Sequence, residues 1–177
     1  MRGQTDRSKL ERFMASLGER VRGDGTVFLT GGATAVLFGW RSATIDVDIK
    51  ADPEPAGLFE AIAALKDEFD VNVELASPDH FIPPVPGWRE RSIPIAQHGH
   101  IAFFHYDPYG QALSKILRGH ERDIRDVRAL LRDRLVTRPQ LWKCFESIEP
   151  ELVRYPAVDR AQFRETVRAF VSESGGQ

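Results

Sequence analysis

With 177 residues, the chain is long enough for one domain, or for one core domain that carries a short helical addition. A hydrophobic share of 42% and a charged share of 28% are typical of globular proteins whose core needs no metal or disulfide. The single cysteine, Cys144, excludes an intramolecular disulfide, and no apolar run is long enough for a signal peptide or a membrane span. We therefore expect a cytoplasmic protein without a membrane partner.

The net charge of −2 is unevenly distributed along the sequence. Residues 45–80 hold ten acidic residues against two lysines, whereas residues 111–144 hold seven arginines and two lysines against four acidic residues. An acidic region together with a basic one suits a protein that collects a divalent cation and binds polyanions. A surface of mixed charge gives similar counts, so this observation needs support from motifs.

In chain order, the hydrophobic pattern first predicts alternating helices and strands: helix 5–22, strand 26–29, helix 33–38, strand 44–49, helix 58–69 and strand 71–75. A proline-rich loop, a strand pair, helices and a frayed tail follow: loop 78–87, strands 91–96 and 100–106, helices 109–119, 121–134, 138–148 and 159–173, and tail 172–177. This order predicts an α/β (α+β) core at 1–107 and a helical C-terminal part at 108–177 that packs on the core.

Two acidic residues separated by one position lie on a predicted strand. Asp46 and Asp48 alternate with Ile45, Val47 and Ile49, so both carboxylates are expected on the same side of the sheet. The strand rise places their Cα atoms about 6.5–7 Å apart, which allows both to reach one Mg²⁺ or two neighbouring ions. Without a cation the two carboxylates would repel each other. Asp46 and Asp48 are therefore predicted metal ligands.

A glycine pair, Gly31-Gly32, stands between the predicted strand 26–29 and the predicted helix 33–38. Glycines at such a turn let the backbone approach a phosphate, whose charge a helix N-terminus favours. A glycine pair alone is most often a simple turn, and an isolated Asp-x-Asp is most often a surface feature. Their succession within one strand, turn, helix and strand predicts a site for a metal ion and a nucleotide.

This segment resembles the signature of the DNA polymerase β-like nucleotidyltransferase superfamily. The resemblance rests on two stretches, Gly31-Gly32-Ala33-Thr34 and Arg41-x-x-Thr44-x-Asp46-Val47-Asp48-Ile49. Arg41 and Thr44 make the chain more similar to the AbiEii/MenT-like branch, which includes toxins of type IV toxin–antitoxin systems, and to an uncharacterised bacterial nucleotidyltransferase family related to that branch. The resemblance implies a nucleotidyltransferase core with a small mixed β-sheet flanked by helices.

In this superfamily the glycine turn holds the triphosphate and the aspartate pair holds Mg²⁺. Carried over to this chain, the resemblance implies that Asp46 and Asp48 are catalytic ligands of Mg²⁺ or Mn²⁺. It also implies nucleotide-binding roles for the turn and the segment that follows it, namely Gly31, Gly32, Ala33, Thr34, Arg41 and Thr44.

A second stretch, Lys115-x-x-Arg118-x-x-x-Arg122-Asp123-x-x-Asp126, resembles the later motifs of the same branch. On one continuous helix its basic residues and Asp126 would fall near one face, although Gly119 can interrupt that helix. The resemblance implies that the lysine and the two arginines meet the nucleotide phosphates, and that Asp123 and Asp126 orient these bases or serve the transfer step. Taken alone, the stretch also fits a solvated helix with salt bridges.

Superfamily members often carry a third carboxylate on a following strand, and Glu74 on the predicted strand 71–75 is the matching candidate. In that role Glu74 would bind a second metal ion or act as a general base toward an attacking hydroxyl. The AbiEii/MenT-like branch does not clearly require this residue. Glu74 is therefore equally well explained as an exposed acidic residue of the strand.

These features predict a metal-dependent nucleotidyltransferase that transfers a nucleoside monophosphate from an NTP to an acceptor. The resemblance to the toxin branch implies RNA as the acceptor, in particular the tRNA 3′ end, and a cognate antitoxin protein as a partner. Two alternatives stay open. One is an enzyme that modifies a small molecule or a protein, and the other is a non-catalytic domain that binds a nucleotide or a partner protein.

Overall fold

The computed structural model describes residues 2–173, so the last four residues of the predicted tail, 174–177, lie outside the described residues. The chain divides into two compact units: the first comprises Met1–Ser77 and Ser92–Tyr106, and the second comprises Pro78–Arg91 and Asp107–Gln177. The proline-rich segment thus belongs to the second unit. The packing of the helical part on the core stays a prediction.

The first unit is built on a mixed sheet. Its elements are, in chain order, β1 (Thr5–Asp6), α1 (Arg7–Arg20), β2 (Gly25–Thr30), α2 (Gly31–Leu37), β3 (Ala43–Thr44), β4 (Asp46–Ala51), α3 (Leu58–Glu68), β5 (Asn72–Leu75), β6 (Ile93–His98) and β7 (Ile101–His105). Five strands form one sheet in the order β5-β4-β2-β7-β6. β2 runs antiparallel to β4 and parallel to β7, β4 runs parallel to β5, and β6 runs antiparallel to β7. The predicted small mixed sheet is confirmed.

The core of the first unit lies where helices cover this sheet. α1 contacts α3 and β6, and α2 contacts β4. Leu10, Phe13 and Leu17 of α1 recur at spacings of three and four residues and are completely buried, as an amphipathic helix requires. On β4, Val47 and Ile49 point into the same core, which leaves the alternate positions of that strand for polar side chains.

The predicted strand 44–49 is divided at Ile45. β3 pairs with β1, so that Thr44 lies opposite Thr5, whereas β4 begins at Asp46 and pairs with β2 and β5. Because the chain changes its pairing partner at this point, Ile45 leaves the alternation and is 48% exposed. The prediction that Ile45 shares a face with Val47 and Ile49 was wrong for this reason.

The second unit is helical. It contains a 3₁₀ turn at Pro78–His80, the short helix α4 (Trp88–Arg91), then α5 (Pro108–Arg118), α6 (Glu121–Arg132), α7 (Arg138–Ile148), a 3₁₀ segment at Glu149–Arg154 and α8 (Arg160–Ser172). The predicted helical C-terminal part is confirmed. None of the helices within residues 2–173 combines the length and the apolar character that crossing a membrane requires.

Asp107 fixes the start of α5. Its side chain is completely buried, and its carboxylate accepts a hydrogen bond from the backbone N–H of Tyr109 at 3.0 Å, which caps the helix. Arg91 donates to both oxygens of the same carboxylate, from Nε at 3.0 Å and from Nη2 at 2.6 Å, and these hydrogen bonds raise the pKa of Arg91. This paired contact ties the segment before β6 to the first helix after β7.

Candidate nucleotide and metal site

The turn between β2 and α2 lies directly against the carboxylate of Asp48. Gly31 has a φ of +60°, a conformation that residues with a side chain rarely adopt, and a Cβ at this position would lie 2.9 Å from Asp48 Oδ2. The preceding residue, Thr30, is the register partner of Asp48 in the antiparallel pair of β2 and β4. Two constraints therefore favour glycine at position 31: the left-handed backbone and the nearby carboxylate of Asp48.

Gly32 lies beside Thr44 and Arg41. A Cβ on Gly32 would overlap the hydroxyl oxygen of Thr44 and would lie 3.5 Å from Arg41 Nη1. Thr44 is buried, and its hydroxyl donates a hydrogen bond to the backbone carbonyl of Asp46 at 3.0 Å. The structure thus brings the glycine turn together with Arg41, Thr44 and Asp48, which belong to the second stretch of the resemblance.

The acidic side chains of this region lie on two neighbouring parallel strands. Asp46 and Asp48 are half-buried and alternate with the buried Val47 on β4. On β5, Asn72 lies opposite Asp46 and Glu74 lies opposite Asp48. The three acids therefore occupy alternate positions of adjacent strands, and Glu74 is exposed to solvent.

Asn72 joins two of these acids, and the sequence motifs did not identify it. Its Nδ2 donates to Asp46 Oδ1 at 2.6 Å and to Glu74 Oε1 at 3.1 Å. A neutral amide belongs to no metal or phosphate motif, which is why motif reasoning missed it. The only available signal was its position on the same predicted strand face as Glu74.

The donor set fits a divalent cation that is shared with a substrate. Within residues 2–173, no group of three or more His, Cys, Asp or Glu side chains is arranged to hold a metal ion. Mg²⁺ in nucleotide enzymes is commonly held by one or two carboxylates together with substrate phosphates and water. Asp46 and Asp48, beside a glycine turn in which a Cβ would approach the Asp48 carboxylate, supply that smaller set. Their role as ligands, and that of Glu74 as a third ligand, stays a prediction.

The remaining residues of the first stretch lie in the interior. Ala33 and Thr34 are 0% and 3% exposed, and the Thr34 hydroxyl donates to the backbone carbonyl of Leu29 at 3.3 Å. His105 Nδ1 lies 3.1 Å from the same hydroxyl, and burial lowers the pKa of His105 to about 4. The His105 ring stacks on Phe38 with ring centres 4.3 Å apart. The predicted contacts of Ala33 and Thr34 with nucleotide stay predictions.

The second stretch forms a buried ion-pair cluster in the helical unit. Lys115 is 4% exposed, and its Nζ lies 2.6 Å from Asp126 Oδ2 and 3.5 Å from Asp123 Oδ1. Arg118 Nη2 lies 2.8 Å from Asp123 Oδ1. The other oxygen of Asp123 is buried without a hydrogen-bond partner among the described residues. The alternative interpretation, a fully solvated helix with salt bridges, is therefore wrong for Lys115, Asp123 and Asp126.

These charged residues come from two helices. Gly119 has a φ of +69° and ends α5 after Arg118, so the acids reach Lys115 from α6. A single continuous helix across the stretch is thus excluded, because the left-handed glycine breaks it. Arg122 of α6 is exposed. The predicted contacts of Lys115, Arg118 and Arg122 with nucleotide phosphates stay predictions.

The strand, glycine turn, helix and acidic strand on a mixed sheet are consistent with a nucleotidyltransferase fold. Residues 8–171 match the model of a family described as "Nucleotidyltransferase of unknown function (DUF6036)", and the chain belongs to this family. No match was found among curated proteins or among solved structures. The membership supports a nucleotidyltransferase with an NTP as its substrate class, and the AbiEii/MenT-like branch stays a prediction.

Proposed function

We propose that this chain is a metal-dependent nucleotidyltransferase that transfers a nucleoside monophosphate from an NTP, with Mg²⁺ or Mn²⁺ held by Asp46 and Asp48. One observation carries the proposal. Gly31, in its left-handed conformation, brings the β2–α2 turn against the carboxylate of Asp48. A backbone that could bind phosphate and a carboxylate that could bind metal are thus adjacent, which is the juxtaposition that a metal–triphosphate complex requires.

Six candidate site residues of the first unit have defined roles in this proposal. When bound, the divalent cation would supply charge stabilisation at the phosphates and on the leaving pyrophosphate. Asp46 and Asp48 would hold it, Gly31 and Gly32 would leave room for the triphosphate, and Arg41, close to Gly32, would neutralise phosphate charge. Glu74 would serve as a further ligand or as a general base toward the acceptor hydroxyl.

In the second unit, the resemblance implies nucleotide-binding roles for Lys115 and Arg118, and Asp123 and Asp126 would orient these two bases through their ion pairs. We assign Arg122 to phosphate binding as well, because its side chain is exposed on α6. Burial of Lys115 between two acids also gives it a structural role, so its substitution changes stability as well as any transfer.

An RNA acceptor is supported by a stripe of exposed arginines on α6, which we call the α6 arginine stripe. It consists of Arg122, Arg125, Arg128 and Arg132. At 3.6 residues per turn these positions fall within an arc of about 120°. Two of them have acidic neighbours, Glu121 and Asp133, so the stripe keeps a positive excess. Spaced guanidinium groups suit a nucleic-acid backbone. Together with the resemblance to the toxin branch, the stripe favours tRNA 3′ ends as the acceptor. The resemblance alone implies a cognate antitoxin as a partner.

Label transfer tests the proposal. Purified protein is incubated with each α-³²P-labelled NTP and Mg²⁺ or Mn²⁺, and tRNA, total protein and small metabolites are offered as separate acceptors. We expect label in RNA, loss of the signal with EDTA, and at least a roughly 100-fold loss in Asp46→Asn and Asp48→Asn, because a bound metal contributes several kcal/mol. Asp24→Asn is the matched control, since its exposed carboxylate pairs with His100 in the same unit.

The acceptor arms separate the alternatives. Label that appears only in protein or in a small molecule would contradict the RNA acceptor and leave the transferase. NTP binding without transfer to any acceptor would favour the non-catalytic alternative. Wild-type turnover in Asp48→Asn would contradict the assignment of the site.

A further inference from the structure

Asn72 occupies the place where the two acidic strands meet. It is the first residue of β5 and the register partner of Asp46, and its side chain is half-buried. A side-chain amide nitrogen carries two hydrogens, and here each is directed to a different carboxylate, Asp46 Oδ1 at 2.6 Å and Glu74 Oε1 at 3.1 Å. Both hydrogens of the amide nitrogen are therefore used between two acids.

This arrangement has an electrostatic reason. Asp48 and Glu74 are opposite one another on β4 and β5, and like charges in such a position destabilise a sheet. An amide that donates to both Asp46 and Glu74 stabilises the negative charge of these two acids without adding a positive charge that would compete with a cation. Hydrogen bonds to ionised acceptors are also stronger than neutral ones, so they fix the orientation of the carboxylate.

We propose that Asn72 is a positioning residue of the metal site, and that its amide fixes the Asp46 carboxylate for a divalent cation. This inference rests on the proposed function, because it requires Asp46 to be a metal ligand. The contact is made to only one oxygen of Asp46, Oδ1. Groups that hydrogen-bond to metal ligands orient them, and their loss typically weakens metal binding by about 10- to 100-fold.

Binding of Mn²⁺ alone, without nucleotide, tests the inference apart from catalysis. Free Mn²⁺ is measured by electron paramagnetic resonance during titration of wild type, Asn72→Ala and Asn72→Gln. We expect the Mn²⁺ dissociation constant to rise by about 10- to 100-fold in Asn72→Ala and to be partly restored in Asn72→Gln, which keeps the donor. Gln97→Ala is the control, because Gln97 lies on β6 and its amide donates to the backbone carbonyl of Gly99 in the turn before β7.

A second variant guards against loss of the fold. Asn72→Val has no donor but favours a strand, so it should unfold near the wild-type temperature and bind Mn²⁺ as weakly as Asn72→Ala. A double-mutant cycle then tests the route of the effect. In an Asp46→Ala background, Asn72→Ala should change Mn²⁺ affinity no further, because the carboxylate that it positions is absent.

The outcomes distinguish this inference from the function on which it rests. Wild type that binds no Mn²⁺ would overturn the proposed metal site and the role of Asn72 with it. Wild type that binds Mn²⁺, with equal affinity in Asn72→Ala and Asn72→Val, would overturn the role of Asn72 alone. If Asn72→Ala weakens Mn²⁺ binding as strongly in the Asp46→Ala background as in wild type, that result would also contradict positioning through Asp46.

Discussion

Two clusters of acidic residues, one in each unit, differ in the groups that compensate their negative charge. On β4 and β5 the link between Asp46 and Glu74 is a neutral amide, and the side chains are half-buried or exposed. Between α5 and α6 the acids meet bases, and Lys115 and Asp126 are almost completely buried. The first arrangement leaves negative charge available to a cation, whereas the second consumes it internally.

The two clusters therefore differ in how much their acidic side chains contribute to stability and in how accessible their charge is to a ligand. A buried ion pair that loses one partner leaves an uncompensated charge, whereas a half-exposed carboxylate can be neutralised with little effect on folding. Substitutions at residues of both clusters test this division.

Removal of the Lys115 ammonium should strongly destabilise the protein. Lys115→Ala leaves Asp126 and Asp123 buried without their shared base, and we expect a loss of about 3–5 kcal/mol in the free energy of unfolding. Urea denaturation at pH 7 measures it. Asp46→Asn is the matched comparison and should change the same quantity by less than about 1 kcal/mol, because Asp46 is only half-buried. Equal effects of the two substitutions on the free energy of unfolding would contradict the proposed difference between the two clusters.

Protonation of His105 should lower folding stability, which would distinguish this structural polar group of the first unit from the site residues. Burial lowers the pKa of His105 to about 4, whereas an unfolded histidine titrates near 6.5. Below pH 6.5, His105 is therefore protonated in the unfolded chain but stays neutral in the folded chain. The free energy of unfolding falls as a result while the pH decreases toward 4.

Between pH 7 and 4.5, wild type should lose about 2–3 kcal/mol more than His105→Gln, as measured by urea denaturation at both pH values. His80→Gln, at an exposed position, should behave as wild type. An imidazole NMR titration of His105 with a midpoint near 6.5 would contradict the burial effect.

Substitution of two glycines with left-handed backbones distinguishes the effect of backbone strain from an effect on nucleotidyl transfer. Gly31 and Gly39 have φ values of +60° and +80°, but only at Gly31 would a Cβ meet Asp48, whereas at Gly39 it would meet nothing within 4 Å. We expect Gly31→Ala and Gly39→Ala each to cost about 1–2 kcal/mol of stability from the backbone. Nucleotidyl transfer should fall at least about tenfold in Gly31→Ala alone, since a displacement near 1 Å in a site can have such effects. Equal loss of transfer in both variants would indicate a general effect of strain.

The smallest expected effect concerns the α6 arginine stripe. Arg125→Gln and Arg128→Gln should each reduce the slope of log affinity for tRNA against log salt concentration by about one, because each removes one phosphate contact. Fluorescence anisotropy with labelled tRNA at several salt concentrations measures the slope. Arg160→Gln on α8 is the exposed control. An unchanged slope in both stripe variants would contradict RNA binding by this surface.

The sequence was sufficient for most of the fold. Apolar spacing in α1 and strand alternation at Val47 and Ile49 directly reflect burial against one core, so the predicted elements match the observed ones. Periodicity failed at Ile45 because it carries no information about where a chain changes its pairing partner. β1 was missed and β3 was joined to β4, because the pairing of these two short strands is set by tertiary contacts. The short helix α4 was also missed, and Arg91, predicted in a strand, is its last residue.

The candidate site was predictable in its parts but not in its connections. Spacing alone placed Asp46 and Asp48 on one face, and the succession of strand, turn, helix and acidic strand singled out Gly31 and Gly32. The meeting of Lys115 with acids from the following helix depends on the break at Gly119, which the pattern suggested without fixing the geometry. The bridge through Asn72 depends on the register of two parallel strands, which no local pattern encodes.

Paramagnetic broadening by Mn²⁺ tests whether Asp46 and Asp48 hold a divalent cation beside the glycine turn. Substoichiometric Mn²⁺ is added to ¹⁵N-labelled protein with and without an NTP, and backbone amide signals are followed. We predict that signals of Gly31, Gly32 and residues 46–48 broaden first, and that Asp48→Asn abolishes this effect while its spectrum remains that of a folded protein. Broadening that is centred away from these residues, or that persists unchanged in Asp48→Asn, would contradict it.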